Sequence, residues 1–369
     1  MRLKMSNLQT CGKSNWNLLT AFACALLLST SFAGTLGAQE SLPELAKFVE
    51  RFQQLSESDY PVGIPDSTDE LDSAVVELGR ELFFEKGLSK DQTVSCASCH
   101  QPDQAFALNK PVAAGIAGQE GRRNVPSILN RRFGKSQFWD GRSETLEDQA
   151  LIPIENEIEL GHTVEGVLEF LSASDSYRKK FEELFDDGVT RENLAVSIAT
   201  FEKSLVSGNA AIDRFQSSDS ALGSKQRHGL WLYESKGGCW QCHSNSTYTD
   251  EKFHNTGVSW QQEPLDLGLF EVTEDDGDKG KFRTPTLRDV ALTGPYMHDG
   301  SMATLREVVE FYNKGAGENP HLDKKIKPLN LDEEEIDSLV AFLEGLTGDH
   351  PWQSQAAKSD AENSQKSDE

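Results

Sequence analysis

The sequence predicts a mainly α protein of two related units, and three observations predict it. A Cys-x-x-Cys-His motif occurs twice, at Cys96–His100 and again at Cys239–His243. A stretch with helical apolar spacing stands before each motif. A further stretch of that kind follows the second motif near the end of the chain. With 369 residues the chain is long enough for two modest domains. Its 37% hydrophobic share is ample for packed cores.

The elements follow in order. Arg2, Lys4 and Lys13 precede an apolar run over residues 18–32, and small residues continue to Ala38. That layout predicts a secretory signal peptide over residues 1–38, cut near Ala33 or Ala38. A membrane anchor is the alternative, although the run is short for a span. A lipoprotein reading through Cys24 is weaker, since apolar residues continue beyond it. Removal of this segment takes Cys11 and Cys24, leaving every other cysteine inside the two motifs and no membrane span in the mature chain.

Residues 69–84 place Leu71, Val75, Leu78 and Leu82 at helical spacing. Residues 170–185 and 192–205 read as further helices of a longer first half. The polar stretch 210–223 joins the halves. Ser224 caps a helix running to Glu234, with Leu230 and Trp231 apolar. The acids 332–335 begin another, with Ile336, Leu339, Val340 and Leu343 on one face. Residues 353–369 are Ser, Asp, Lys and Gln with almost nothing apolar, a disordered tail. The expected division is 39–212, 213–350 and a tail over 351–369. The two motifs are the only internal repeat visible.

The formal charge is −24, and residues 1–38 carry three cations and no acid. A surface that acidic repels nucleic acid and anionic lipid and favours basic or neutral partners. Three chemistries compete for the motifs. Zinc ribbons bring their cysteine pairs much closer together in sequence than Cys99 and Cys239. Thioredoxin-like pairs need a βαβ context that is absent from the pattern. Covalent haem uses every residue: two thioethers fix the porphyrin and the adjacent histidine ligates iron. A helix before each haem motif and one closing the second unit is the cytochrome c pattern.

Beyond the motifs, residues 123–130 (RNVPSILN), 138–150 (FWDGRSETLEDQA), 159–161 (ELG) and 282–312 (FRTPTLRDVALTGPYMHDGSMATLREVVEFY) resemble the bacterial dihaem cytochrome c peroxidases and MauG. The resemblance covers residues 71–346. It implies two cytochrome c-like haem domains packed together in a periplasmic enzyme. Hydrogen peroxide would react at the first haem through an Fe(IV)-oxo species, and electrons would arrive through the second. The donor would be a small cytochrome c or cupredoxin. MauG-like oxidation of a partner protein's side chains is the alternative, and a non-enzymatic dihaem electron carrier is a third. A homodimer is compatible with the resemblance.

The family's catalytic glutamate follows a glutamine by ten residues and a proline by six, which Gln149, Pro153 and Glu159 reproduce. A carboxylate there suits the chemistry, because peroxide must lose one proton and its distal oxygen must gain one. Glu155 and Glu157 are rivals by composition that miss the spacing. Trp139 matches the tryptophan between the haems. Asn124, with the carbonyls of Thr293 and Pro295, matches a calcium site of hard oxygen ligands.

Two departures matter. Many of these peroxidases block the first iron with a histidine from the loop after the first motif. Residues 101–123 hold no histidine, methionine or tyrosine, and Lys110 is the only amine. Nothing from the protein is then expected opposite His100. Classical members also place methionine fourteen residues after the histidine of the "HDG" segment. From His298 that count reaches Tyr312, as in MauG. Thr304 to Glu307 is a capping box, and the helix it begins turns Tyr312 inward. Met297 and Met302 are the rival ligands for the iron held by His243. His298 reads as structural near the second haem. His162, His228, His254, His321 and His350 read as surface or capping residues, and 271–278 as a solvated turn.

Overall fold

The computed structural model describes residues 63–65, 70–215, 221–317 and 319–348. The expected signal, the tail and His350 lie outside them. The first half comprises α1 (Ser73–Phe84), the short α2 (Cys96–Cys99), α3 (Leu146–Glu155), α4 (Val164–Ala173), α5 (Asp175–Leu184) and α6 (Arg191–Ser204). After α7 (Ala211–Phe215), the second half contains α8 (Ser224–Glu234), α9 (Phe270–Thr273), α10 (Leu305–Asn313) and α11 (Glu333–Glu344). Strands β1 (Phe253–His254) and β2 (Phe282–Arg283) pair antiparallel, Phe253 opposite Arg283.

Local chemistry sets the ends. The expected start at 69 moves to Ser73, because the Asp72 carboxylate accepts from the Ala74 amide and caps there. The single helix expected over 170–185 is two. The Ser174 hydroxyl accepts from the Tyr177 amide, so Ser174 caps α5 just where α4 ends. Ser224 is the first helical residue of α8, and Gly223 holds the cap position. The joining stretch 210–223 contains α7, whose Asp213 is buried against Arg288. Thr304 and Glu307 form the expected capping box, and Asp332 and Glu335 form another.

The structure contains a repeat that the sequence reading missed. Helix α1 packs on α6, and α8 packs on α11. Each pair meets at a glycine. A Cβ on Gly79 would lie 1.9 Å from the Ser197 carbonyl oxygen, and one on Gly229 would lie 1.9 Å from that of Ser338. Only a residue without Cβ lets these backbones approach so closely. Four residues on, Phe83 meets Phe201 at 5.1 Å and Tyr233 meets Phe342 at 5.0 Å between ring centroids. Around the first pair, Leu78, Leu82, Ile154, Leu171, Phe181 and Ile198 form the larger core. Each such side chain contributes roughly 1.5–3 kcal/mol on burial.

The repeat continues into the loops. Bridges join Gln137 to Ser143 and Tyr296 to Met302. Each bridge encloses an x-Asp-Gly turn, Trp139-Asp140-Gly141 in one half and His298-Asp299-Gly300 in the other. Gly141 and Gly300 have φ of 72° and 67°. Thr145 and Thr304 then cap α3 and α10. At this constant offset Trp139 corresponds to His298, and Pro153 corresponds to Tyr312.

Candidate active site

Each motif borders a cavity. The first, about 810 Å³, is lined by Cys96, Cys99 and His100 and also by Gln149, Pro153 and Glu159. The second, about 240 Å³, is lined by Cys239, Cys242, His243, Met297, His298 and Tyr312. Asn124, Pro126, Ser127, Arg131, Trp139 and Arg283 line both and form the wall between them.

The motif residues suit covalent haem. His100 Nδ1 lies 3.0 Å from the Phe106 carbonyl oxygen, and His243 Nδ1 lies 3.2 Å from that of Tyr248. A carbonyl only accepts, so Nδ1 carries the proton and Nε2 keeps its lone pair for a metal. Burial lowers the pKa of His100 and pushes His243 down to about 4, so both rings are neutral as ligands must be. Burial also pushes the Cys96 and Cys239 thiols up to about 12 and Cys99 to about 11. The four described cysteines form no disulfide.

Of the three glutamates weighed for the role, Glu159 lines the first cavity, whereas Glu155 and Glu157 are exposed and line neither cavity. Its Oε1 accepts from Asn156 Nδ2 at 2.6 Å. Burial raises its pKa, opposed by the Arg142 charge and then by the Asn156 bond. The loop after the first motif grips its backbone. The Ile116 amide donates to the Glu159 carbonyl at 2.9 Å, and a Cβ on Gly115 would lie 2.0 Å from the Ile158 carbonyl oxygen. Gln149 Oε1 is buried without a partner, a polar atom left for something in the cavity.

Lys110, the one loop amine that could reach the first iron, is poorly placed. Lys110 is exposed and does not line the cavity. The loop contributes Ala113, Gly115, Glu120, Gly121, Arg122 and Arg123, none a strong axial ligand. Pro153, with no donor atom on its ring, stands where the second half has Tyr312. The Tyr312 phenol is raised well above its usual range by burial, then by the nearby cysteines, while the Thr256 side chain pulls it down. Met302 does not line the second cavity; Met297 does.

The chain matches the family described as di-haem cytochrome c peroxidase over residues 73–221. The methylamine utilization protein MauG of Methylorubrum extorquens is 34% identical over 334 residues, covering 90% of this chain and 93% of its own. This chain belongs to the di-haem cytochrome c peroxidase family. It is an oxidoreductase, and the family implies two c-type haems. The cytochrome-c peroxidase IdrP2 of Denitromonas iodatirespirans is 36% identical over 306 residues, 74% of this chain and 82% of its own. A solved MauG-like protein associated with microbial copper homeostasis superposes with a TM-score of 0.71 at 29% identity, covering 80% of this chain and 98% of its own.

In this di-haem peroxidase the wall between the cavities is well tied. Trp139 is buried, its Nε1 donates to the Asn124 carbonyl at 2.8 Å, and its own carbonyl accepts from the Arg283 amide at 2.8 Å. His298 is buried and stacks on Phe282 at 3.6 Å, which fits the structural role expected of it. Asn124 Nδ2 donates to the Lys110 and Pro111 carbonyls, which leaves its Oδ1 as an acceptor. Asn124, Thr293 and Pro295 all line the second cavity, and their oxygens are a donor set that suits calcium.

Several residues escaped the sequence reading. His254 is not a surface residue: it is buried between Asp250 and Asp323, at 3.0 and 2.6 Å. Glu271, read as part of a solvated turn, pairs with Arg122 and Arg123. Arg131 and Arg283 share Glu251 inside the wall. Glu202 is buried at the first cavity with Oε2 unpartnered, and burial pushes it up to about 8. Its only signal was an acid on the packed side of a helix. The long-range pairs had none.

Proposed function

We propose that this di-haem peroxidase is exported to the periplasm and reduces hydrogen peroxide to water at the first haem. Two electrons and two protons are consumed per peroxide, the electrons coming from a small cytochrome c or cupredoxin through the second haem. One observation carries the reading. Glu159, Gln149 and Pro153 line the same cavity as His100, a proton carrier and an amide beside a ring that cannot ligate.

A haem held there would supply the iron chemistry that peroxide reduction needs. The Glu159 carboxylate takes the proton from one peroxide oxygen and returns it to the other, so that water can leave. Gln149 offers its unpaired Oε1 to a hydrogen of the bound reactant. Pro153 keeps the reacting side free of ligands. Trp139, in the shared wall, relays electrons between the haems. Cys96, Cys99, Cys239 and Cys242 would attach the haems, His100 and His243 would ligate them, and Tyr312 would complete the second. Asn124, Thr293 and Pro295 would hold a calcium ion.

Tyr312 in place of methionine favours one second reading, a MauG-like enzyme that spends peroxide equivalents on a partner protein. Steady-state assays separate the two. Rapid turnover with a small redox donor supports the peroxidase. Reaction with peroxide but no turnover of any small donor supports protein oxidation.

A further inference from the structure

We infer that the loop 324–327 forms a docking surface for an acidic electron-transfer protein at the exposed edge of the second haem site. The inference rests on the electron-donor reading above and deepens it. Lys324, Lys325 and Lys327 are exposed, and no described carboxylate forms an ion pair with any of them. Lys325 and Lys327 line the rim of the second cavity. Lys325 Nζ donates to the Gln241 carbonyl at 3.2 Å and lies 3.9 Å from Cys242 Sγ, which sets a cation over the haem-attachment edge.

Two neighbouring charges are largely engaged elsewhere, although Asp323 also feels the Lys325 charge. Asp323 turns to His254, and Lys236 is matched to Glu335. In a chain of net charge −24, three cations in four residues at a redox edge, of which only Lys325 feels a neighbouring carboxylate, are a local reversal of sign. The net negative charge repels acidic partners overall, so one that docks is steered to a local cluster of cations such as this. The fitting partner is a small cytochrome or cupredoxin with carboxylates around its own redox centre. Screening weakens such steering once the Debye length falls to about 8 Å near physiological salt.

The test uses the haem-loaded protein and its Lys324→Gln/Lys325→Gln/Lys327→Gln variant, with peroxide and three reduced donors. These are plastocyanin, an acidic cupredoxin; mitochondrial cytochrome c, whose haem edge is ringed by lysines; and neutral ferrocenemethanol. At low salt the unaltered protein should oxidise plastocyanin faster than cytochrome c. In the variant kcat/KM for plastocyanin should fall about tenfold, while ferrocenemethanol stays within about twofold. The plastocyanin advantage should shrink as salt rises. A preference for cytochrome c in the unaltered protein, or an equal loss with ferrocenemethanol, overturns the docking surface. If no donor turns over, the peroxidase reading fails, and docking is then read from titration with oxidised plastocyanin at low salt. Binding lost in the variant supports the surface, and unchanged binding overturns it.

Discussion

Eight residues into the helix that follows an Asp-Gly turn, the first half places Pro153 and the second places Tyr312. The frames around them correspond: a glycine at the helix contact, Ser197 against Ser338, Phe201 against Phe342, and a proximal histidine whose Nδ1 is fixed by a carbonyl. What differs is the lining. Glu202 faces the first cavity where Leu343 faces the second, and the free volume of the first is more than three times larger. One frame thus serves two chemistries. A cavity with acids and no distal donor suits a reactant, and one closed by a phenol suits electron transfer.

The comparison can be broken or sharpened by substitution. The largest effect is expected from Glu159→Gln, which keeps size and hydrogen bonding but cannot carry the proton. Peroxide turnover should fall roughly 100-fold or more with both haems retained, as steady-state rates and haem content will show. Near-normal turnover would move the role elsewhere. Tyr312→Phe should change the absorption spectrum of the second haem and raise its potential, leaving the first unaltered, because phenolate favours oxidised iron. An unchanged second haem would make Met297 the ligand.

Gly79→Ala and Gly229→Ala should each cost about 1–3 kcal/mol, since the new methyl meets a backbone carbonyl in both helix pairs. Thermal unfolding measures this, and an effect in one half alone would break the correspondence. The smallest effect concerns pH. Glu159 must be a carboxylate to accept a proton, so turnover should fall as pH drops through its raised pKa. Asn156 holds that pKa down. Asn156→Ala should therefore move the acid limb of the kcat/KM profile to higher pH, and a shift to lower pH would contradict the assignment.

Much of the frame was legible because helix periodicity and caps are local. Thr304, Glu307, Asp332 and the face from Ile336 to Leu343 needed only neighbours in sequence. The break at Ser174 was missed because apolar residues continue across it, and a hydroxyl cap outweighs periodicity there. The helix-pair repeat was hidden because Gly79 and Gly229 lie at different distances from their motifs. At the site, the resemblance supplied Glu159, Trp139 and Tyr312. Their surroundings were not readable. The His254–Asp323 pair and Glu251 between two arginines join residues far apart in sequence, and no local pattern announces them.

The central claim is that the two halves hold like haems with unlike distal sides, open at Pro153 and closed at Tyr312. Electron paramagnetic resonance of the fully oxidised protein as isolated tests it most directly. The account predicts one high-spin ferric haem, which reacts with peroxide without prior reduction, beside one low-spin ferric haem that Tyr312→Phe alters. Two low-spin haems, inert to peroxide until half reduced, would contradict it.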